Sequence, residues 1–184
     1  NYKRMSNQKE NKVVTVWRNN ILVKKNIDFL RKPTKNVTFP LSPHAKDIIN
    51  DLRKSFDNIP CAGIAANQLG YDKKIFIGMK FDRDFEEESN ASKNLDDVIP
   101  HSKENCELYI NPQIDKINKD STQKGDEGCL SIPGLTLSIE RFDKIKVRYY
   151  DINGKVIKKP LKGFISRLFQ HELDHLNGNL MFEN

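Results

Sequence analysis

Apolar residues recur at helical spacing in two separate stretches of this 184-residue chain. The first stretch follows Ser42-Pro43, a pair that favours a helix start because serine caps free amide groups and proline fits the first turn. The second runs from Phe164 to Leu176, and Gly178 follows it at a position where helices commonly end in a left-handed residue. The spacing therefore predicts two amphipathic helices.

Shorter runs of β-branched and aromatic residues predict strands before and between these helices. They lie at 13–17, 74–79, 107–110, 137–139, 144–150 and 155–157. Asn111-Pro112 is expected to end the third run, and Asn153-Gly154 to form a hairpin turn between the last two. Strands followed by a terminal helix predict an α+β fold, with antiparallel sheets packed around the C-terminal helix.

The length fits one globular domain, which we expect at 13–184. The segment 1–12 is polar and lacks periodicity, so we expect it to be poorly ordered. The segment 82–104 also lacks an apolar period and predicts a long mobile loop. A solvated insertion is favoured over a lid for this loop.

Composition limits the classes of partner. A hydrophobic fraction of 37% excludes global disorder. The net charge of +6 could favour an anionic neighbour such as RNA, but no basic cluster with interleaved aromatic residues is apparent, and solubility is the simpler explanation. No direct nucleic-acid motif is therefore assigned. No apolar stretch approaches the roughly 20 residues that a membrane-spanning helix needs, so no membrane partner is expected.

The pair His171 and His175 lies within the predicted terminal helix, four residues apart. On a helix such residues share one face and can chelate one ion, and Glu172 between them can reach a bound water. The alternative is two partly exposed histidines on an amphipathic helix. A tetrahedral ion would need one more protein ligand. Cys129 lies in a turn-forming context, although an isolated cysteine is more often a small buried hydrophobic residue.

Three motifs occur in a fixed order along the chain. They are Gly63-Ile64-Ala65-Ala66-Asn67-Gln68, Glu127-Gly128-Cys129-Leu130-Ser131, and Gln170-His171-Glu172-Leu173-Asp174-His175. Together they resemble the peptide deformylase family, and the resemblance spans roughly 59–182. The joint occurrence in this order is more specific than any one motif.

The resemblance implies a metal-dependent hydrolase that removes formate from N-formylmethionyl nascent peptides. It implies that the metal ligands are Cys129, His171 and His175 and that Glu172 is the catalytic carboxylate. It further implies that the Gln68 side-chain amide and the Leu130 backbone N–H form an oxyanion site. The ion expected natively is Fe²⁺, and Zn²⁺, Ni²⁺ or Co²⁺ can occupy the same ligands.

The same resemblance implies a substrate-binding site. The residues assigned to it are Ala62, Gly63, Ile64, Phe164 and Leu168. Small residues near Gly63 would let an extended peptide backbone approach, although ordinary tight packing explains them too. Glu127 is not expected to be a ligand, and we expect it to pair with Arg141 and fix the Cys129 loop.

The match departs from the family pattern in two places. Cys61 stands where the family usually has glycine, and 21–37 lacks the Tyr-Pro-Asp-Pro segment that commonly opens the family. These departures leave open a catalytically silent module that binds N-terminal peptides. A zinc endopeptidase is a second alternative, because a His-Glu-x-x-His helix also serves peptide hydrolysis, although Cys129 argues against it. For a deformylase we expect transient proximity to the ribosome. The expected location is the bacterial cytoplasm, or a plastid or mitochondrial matrix if a presequence has been removed.

Overall fold

The structure is a computed structural model and describes residues 12–81 and 105–183. Its elements are β1 (Trp17–Arg18), β2 (Ile21–Leu22), α1 (Lys24–Leu30), α2 (Pro43–Asn58), β3 (Gly63–Ala65), β4 (Ile75–Gly78), β5 (Glu107–Ile117), β6 (Thr122–Cys129), β7 (Ile132–Phe142), β8 (Lys144–Tyr150), β9 (Val156–Lys162) and α3 (Gly163–Leu176). The expectations for the N-terminal segment and for the loop at 82–104 fall on 1–11 and 82–104, outside the described residues.

Five antiparallel strands form the main sheet, in the order β3-β4-β5-β8-β9. Its two faces bury different sets of side chains because successive strand residues point to opposite sides. Ile64, Ile77 and Ile110 pack with α2 on one face. Phe76, Tyr109 and Tyr149 pack with α3 on the other. The sheet therefore lies between the two helices.

A second sheet, the hairpin β6–β7, contacts α3 as well. Ile132 and Ile139 of this hairpin form a third apolar cluster with Val16, Leu30 and Leu180. The terminal helix thus lies between the five-stranded sheet and the hairpin, which confirms the predicted α+β arrangement around α3.

Both predicted helices are present. Ser42 caps α2, since its Oγ accepts a hydrogen bond from the Ala45 N–H at 3.1 Å. Gly178 follows α3 with φ +81°, and a Cβ there would lie 2.2 Å from the Arg31 carbonyl oxygen. Only glycine fits that approach. Gly154 also has positive φ, in the predicted hairpin turn between β8 and β9.

The structure differs from the predicted elements in several places; β2 and β3, for example, were not predicted. The run at 13–17 is not a strand before Trp17; it is an extended segment whose Val14 and Val16 amides donate to the Gln68 and Ser131 carbonyl oxygens at 2.7 and 2.9 Å. Helix α1 was not predicted, and neither was β6. Strand β5 does not end at Asn111-Pro112 but continues to Ile117.

The proline within β5 is tolerated because the register with β8 shifts between Ile110 and Gln113. At such an irregularity a missing N–H costs no ladder hydrogen bond. Asn111 has φ 48°, and its side chain both accepts from and donates to the Val37 backbone at 2.8 Å. Among the described residues, no helix has the length and apolar character needed to cross a membrane.

Candidate metal centre

Helix α3 presents His171 and His175 on one face, with ring centroids 5.0 Å apart. Both imidazoles are buried, because α3 lies between the sheet and the hairpin. The Asn67 side-chain amide donates to the His175 carbonyl oxygen at 2.6 Å and so ties the 3₁₀ turn Ala66–Leu69 to this part of the helix. The helix and the turn together fix the position of the His175 backbone.

Cys129 ends β6 and completes the group. Its Sγ lies 3.1 Å from His175 Nε2, and the ligand atoms of Cys129, His171 and His175 all lie within 4.8 Å of one another. Three nitrogen and sulfur donors with a fourth direction open to a cleft are the donor set of a catalytic metal site. The residues present therefore fit a divalent ion, and the sequence-predicted ligands are brought together.

The charges of these donors are coupled. Burial raises the pKa of Cys129, but the adjacent His175 and His171 outweigh it and bring the pKa to about 5. Burial lowers the pKa of His171, whereas hydrogen bonds with Cys129 and Glu127 raise it to about 10. The pocket thus favours a thiolate at Cys129, which is the form that binds metals.

Glu127 orients the His171 ring through a hydrogen bond at Nδ1. Its Oε1 lies 2.8 Å from His171 Nδ1, and its two oxygens accept from Arg141 Nε and Nη2 at 2.9 and 2.8 Å. Burial raises the pKa of Glu127, but the hydrogen bonds from Arg141 and His171 outweigh it and lower the pKa to about 2. The predicted Glu127–Arg141 pair is confirmed. Arg141 in turn donates to Asp174 at 2.6 Å.

A second buried arginine, Arg167, was not predicted from sequence. Its Nη1 donates to Glu127 Oε2 at 2.5 Å and to the Ile139 carbonyl oxygen at 2.9 Å. The same side chain donates to backbone oxygens of Gln123 and Gly125 in β6. One signal was available: Arg167 precedes His171 by four residues, so the two share a helix face.

Glu172 lies beside the ligands with only 2% of its surface exposed. It borders the cleft that the ligands face, and its Oε2 has no hydrogen-bond partner among the described residues. Burial raises the pKa of this carboxyl group, against the opposing effect of His171 and His175. A carboxyl group of this kind is suited to exchanging a proton with a bound molecule.

Gln68 lines the same cleft. Its Oε1 accepts from the Ala65 N–H at 2.9 Å, which fixes the amide orientation. Its Nε2 therefore points toward Ser131 Oγ at 3.2 Å and Cys129 Sγ at 3.6 Å. Leu130 lies next to Cys129 and also borders the cleft. Ser131 is a further polar residue here that sequence reasoning did not single out.

The cleft has a volume of about 560 Å³. Four of the five residues predicted to bind substrate line it: Ala62, Gly63, Phe164 and Leu168. The fifth, Ile64, does not line the cleft, because its side chain is fully buried in the core between the sheet and α2. Cys61 lines the cleft as a partly buried free thiol.

Comparison with known proteins decides the family. Residues 19–184 match the family model described as polypeptide deformylase. The chain belongs to this family. A peptide deformylase 2 of Rickettsia conorii is 35% identical over 158 residues, which make up 84% of this chain and 73% of that protein. The match excludes the zinc endopeptidase considered above.

Solved deformylase structures share the fold. A peptide deformylase from Plasmodium falciparum superposes with a TM-score of 0.73 at 29% identity, covering 94% of this chain and 84% of that one. One from Acinetobacter baumannii bound to Met-Ala-Ser gives 0.70 at 25% identity and covers 93% and 97%. This deformylase is a metal-dependent hydrolase that removes the N-formyl group from nascent polypeptides.

Proposed function

We propose that this deformylase binds one Fe²⁺ ion through Cys129, His171 and His175 and acts on N-formylmethionyl peptides. The observation that carries the proposal is that these three donors lie within 4.8 Å of one another and that two of them, Cys129 and His171, line one cleft with Glu172 and Gln68. When bound, the ion supplies Lewis-acid polarisation of the formyl oxygen and activation of water. Zn²⁺, Ni²⁺ and Co²⁺ suit the same mixed donor set.

Glu172 moves the proton. Its buried carboxylate accepts a proton from the attacking water and then delivers it to the amide nitrogen as the C–N bond of the formamide breaks. The products are formate and a free amino terminus. Such general acid–base transfer contributes about 10²–10⁴ in rate. The raised pKa of Glu172 supports this role, because the protonated form must be reachable near neutral pH.

Gln68 and Leu130 stabilise the charge that develops on the formyl oxygen. The Gln68 Nε2 is aimed by the hydrogen bond from the Ala65 N–H to its own Oε1. The Leu130 backbone N–H follows Cys129 at the rim of the same cleft. A preorganised donor of this type contributes about 3–4 kcal/mol of transition-state stabilisation.

The substrate backbone lies along β3, which is an edge strand of the main sheet. Peptides commonly add to such an edge by main-chain hydrogen bonds. Gly63 of this strand is required by the packing of the protein itself, since a Cβ there would lie 3.0 Å from Leu168 Cδ1 and 3.1 Å from the Ile77 carbonyl oxygen. Phe164, Leu168 and Ala62 then surround the methionine side chain.

Formate release from formyl-Met-Ala-Ser under anaerobic conditions tests the proposal. We expect formate release from this tripeptide and none from the same peptide without the formyl group. Metal-loaded protein that binds the tripeptide without releasing formate would instead identify the silent binding module. The reaction belongs where formylated initiators occur, and the bacterial relatives fit a cytoplasmic location. Transient proximity to the ribosome follows from the nascent substrate.

A further inference from the structure

One half of the main sheet carries an array of cations on the face that α2 covers elsewhere. The face is identified by register. Tyr150 of β8 packs with the apolar cluster that contains the buried residues of α2, and every second residue before it in β8 points to the same side of the sheet. The cations of this face, hereafter the basic face, are Lys116, Lys144, Lys146, Arg148, Lys158 and Lys162. The five lysines are exposed.

The cations oppose one another across the strands. Lys116 is paired in register with Lys146, and Lys144 with Lys162. Like charges directly opposite each other on a sheet are destabilising. Arg148 is neutralised by Asp115 at 2.8 Å, but within 12–81 and 105–183 the five lysines have no ion-pair partner. The fold therefore retains repulsion that an external anion would relieve.

Protection of the sheet edge explains only part of the array. Lysine and proline on an edge strand discourage pairing with another chain, and Lys158, Pro160 and Lys162 of β9 fit that purpose. Lys116 lies in the part of β5 that pairs with β8 alone, so edge protection can explain its charge as well. Lys144 and Lys146 lie in β8, however, which pairs with β5 on one side and β9 on the other. Edge protection gives no reason for their charge.

Four of the five lysines, all but Lys158, also line a groove of about 840 Å³. The rest of its lining is Ile117, Asn118, Lys119, Asp120, Ile145, Pro160 and Leu161. A concave groove admits a strand of phosphates, whereas a flat lipid surface would touch only its rim. Alternate strand residues place cations about 6.6 Å apart, which suits an evenly repeated charge. We propose that the basic face binds RNA through its phosphate backbone, without reading the bases.

Fluorescence anisotropy of metal-loaded enzyme with a labelled oligouridylate of about 20 nucleotides tests the proposal. Binding should weaken between about 50 and 200 mM salt, with a slope near −3 if four to five lysines each displace a counterion at about 0.7 per contact. Lys144→Glu/Lys146→Glu should weaken binding at least about tenfold. Lys144→Ala/Lys146→Ala, which adds no repulsion, should reduce the slope by about 1.4.

Lys24→Glu/Lys25→Glu is the matched control, because it makes the same charge change at exposed lysines of α1. The control should bind RNA within about twofold of wild type. Equal weakening in the control, or no RNA binding by wild type, would overturn the proposal, and so would binding to phosphatidylserine vesicles but not to RNA. Formate release from a short formylated peptide should be unchanged in every variant. Loss of RNA binding can therefore be distinguished from loss of the proposed deformylation.

Discussion

His171 Nδ1 lies 2.8 Å from Glu127 Oε1, which leaves Nε2 as the ring nitrogen available to an ion. The carboxylate fixes both the orientation and the tautomer of the imidazole, since a neutral ring that donates from Nδ1 must present a lone pair at Nε2. Glu127 is itself held by Arg141 and Arg167. The orientation of this proposed metal ligand therefore depends on two buried arginines.

Glu127→Gln should weaken metal binding by about 10–100-fold, because a hydrogen-bond partner of a metal-binding histidine typically contributes that much to metal affinity. The amide keeps an oxygen and similar volume, so the protein should still fold. Metal affinity is measured by competition with a chelator. Glu140→Gln on β7 removes an exposed carboxylate and is the control. Unchanged affinity in Glu127→Gln would show that Glu127 serves folding alone.

Glu172→Gln should keep a full complement of metal yet lose at least about a hundredfold in turnover, since the amide cannot exchange the proton. Metal content by elemental analysis and formate release are measured on the same sample. Near-normal turnover in fully metallated protein would exclude Glu172 as the acid–base group.

Cys129→Ala should lose the ion, because two imidazoles alone leave the site one protein ligand short. Cys106→Ala is the matched control: this partly buried cysteine packs against the α2 cluster and lies outside the cleft. The control should retain the ion. One tightly bound ion per chain in Cys129→Ala would mean that another residue is the third ligand.

Gln68→Glu separates the two functions of this side chain. The carboxylate can still accept from the Ala65 N–H, but it has no N–H to donate into the cleft. Turnover should fall by about 10²–10³ while the metal content stays constant. The measurement is kcat for formate release at saturating tripeptide. A loss confined to KM would assign Gln68 to substrate binding.

Activity should depend on which ion is bound and should decay in air for the iron form. Affinity alone favours copper and zinc over iron for this mixed donor set. Oxygen can convert ferrous to ferric iron and oxidise the Cys129 sulfur, whereas zinc has no accessible redox change. Metal-free protein is loaded anaerobically with Fe²⁺, Ni²⁺ or Zn²⁺ and assayed before and after exposure to air. Equal, air-stable rates with all three ions would contradict the assignment of iron.

Elements that bury an apolar face could be predicted from sequence, as α2, β8 and α3 show. Strand β6 could not, because its inward positions are polar: Gln123, Gly125 and Glu127 face the Arg167 side chain instead of an apolar core. A Cβ at Gly125 would lie 3.3 Å from Arg167 Nη2, so glycine at this position leaves room for the arginine side chain. Hydrophobic alternation carries no signal for such a strand.

The three proposed metal ligands could be predicted because their spacing or their motif context is local. The residues that hold them were harder to predict: the Glu127–Arg141 pair was expected, but Arg167, which reaches Glu127 from α3, was not. Such contacts depend on tertiary packing, which no local pattern encodes. Helix α1 was missed for a related reason: Leu30 is its one fully buried residue, so the segment lacks a broad apolar face.

The Arg167 side chain joins α3 to both strands of the β6–β7 hairpin, through backbone oxygens of Gln123, Gly125 and Ile139. Cys129 lies on the hairpin and His171 on α3, so the ligands from two separate elements are already held in register by the protein alone. The conformational entropy of assembling the site is lost when the chain folds, not when the ion arrives. For the proposed metal site we therefore expect the exchange of one ion for another to be governed by the chemistry of ligand substitution, with no requirement for the hairpin to reorder.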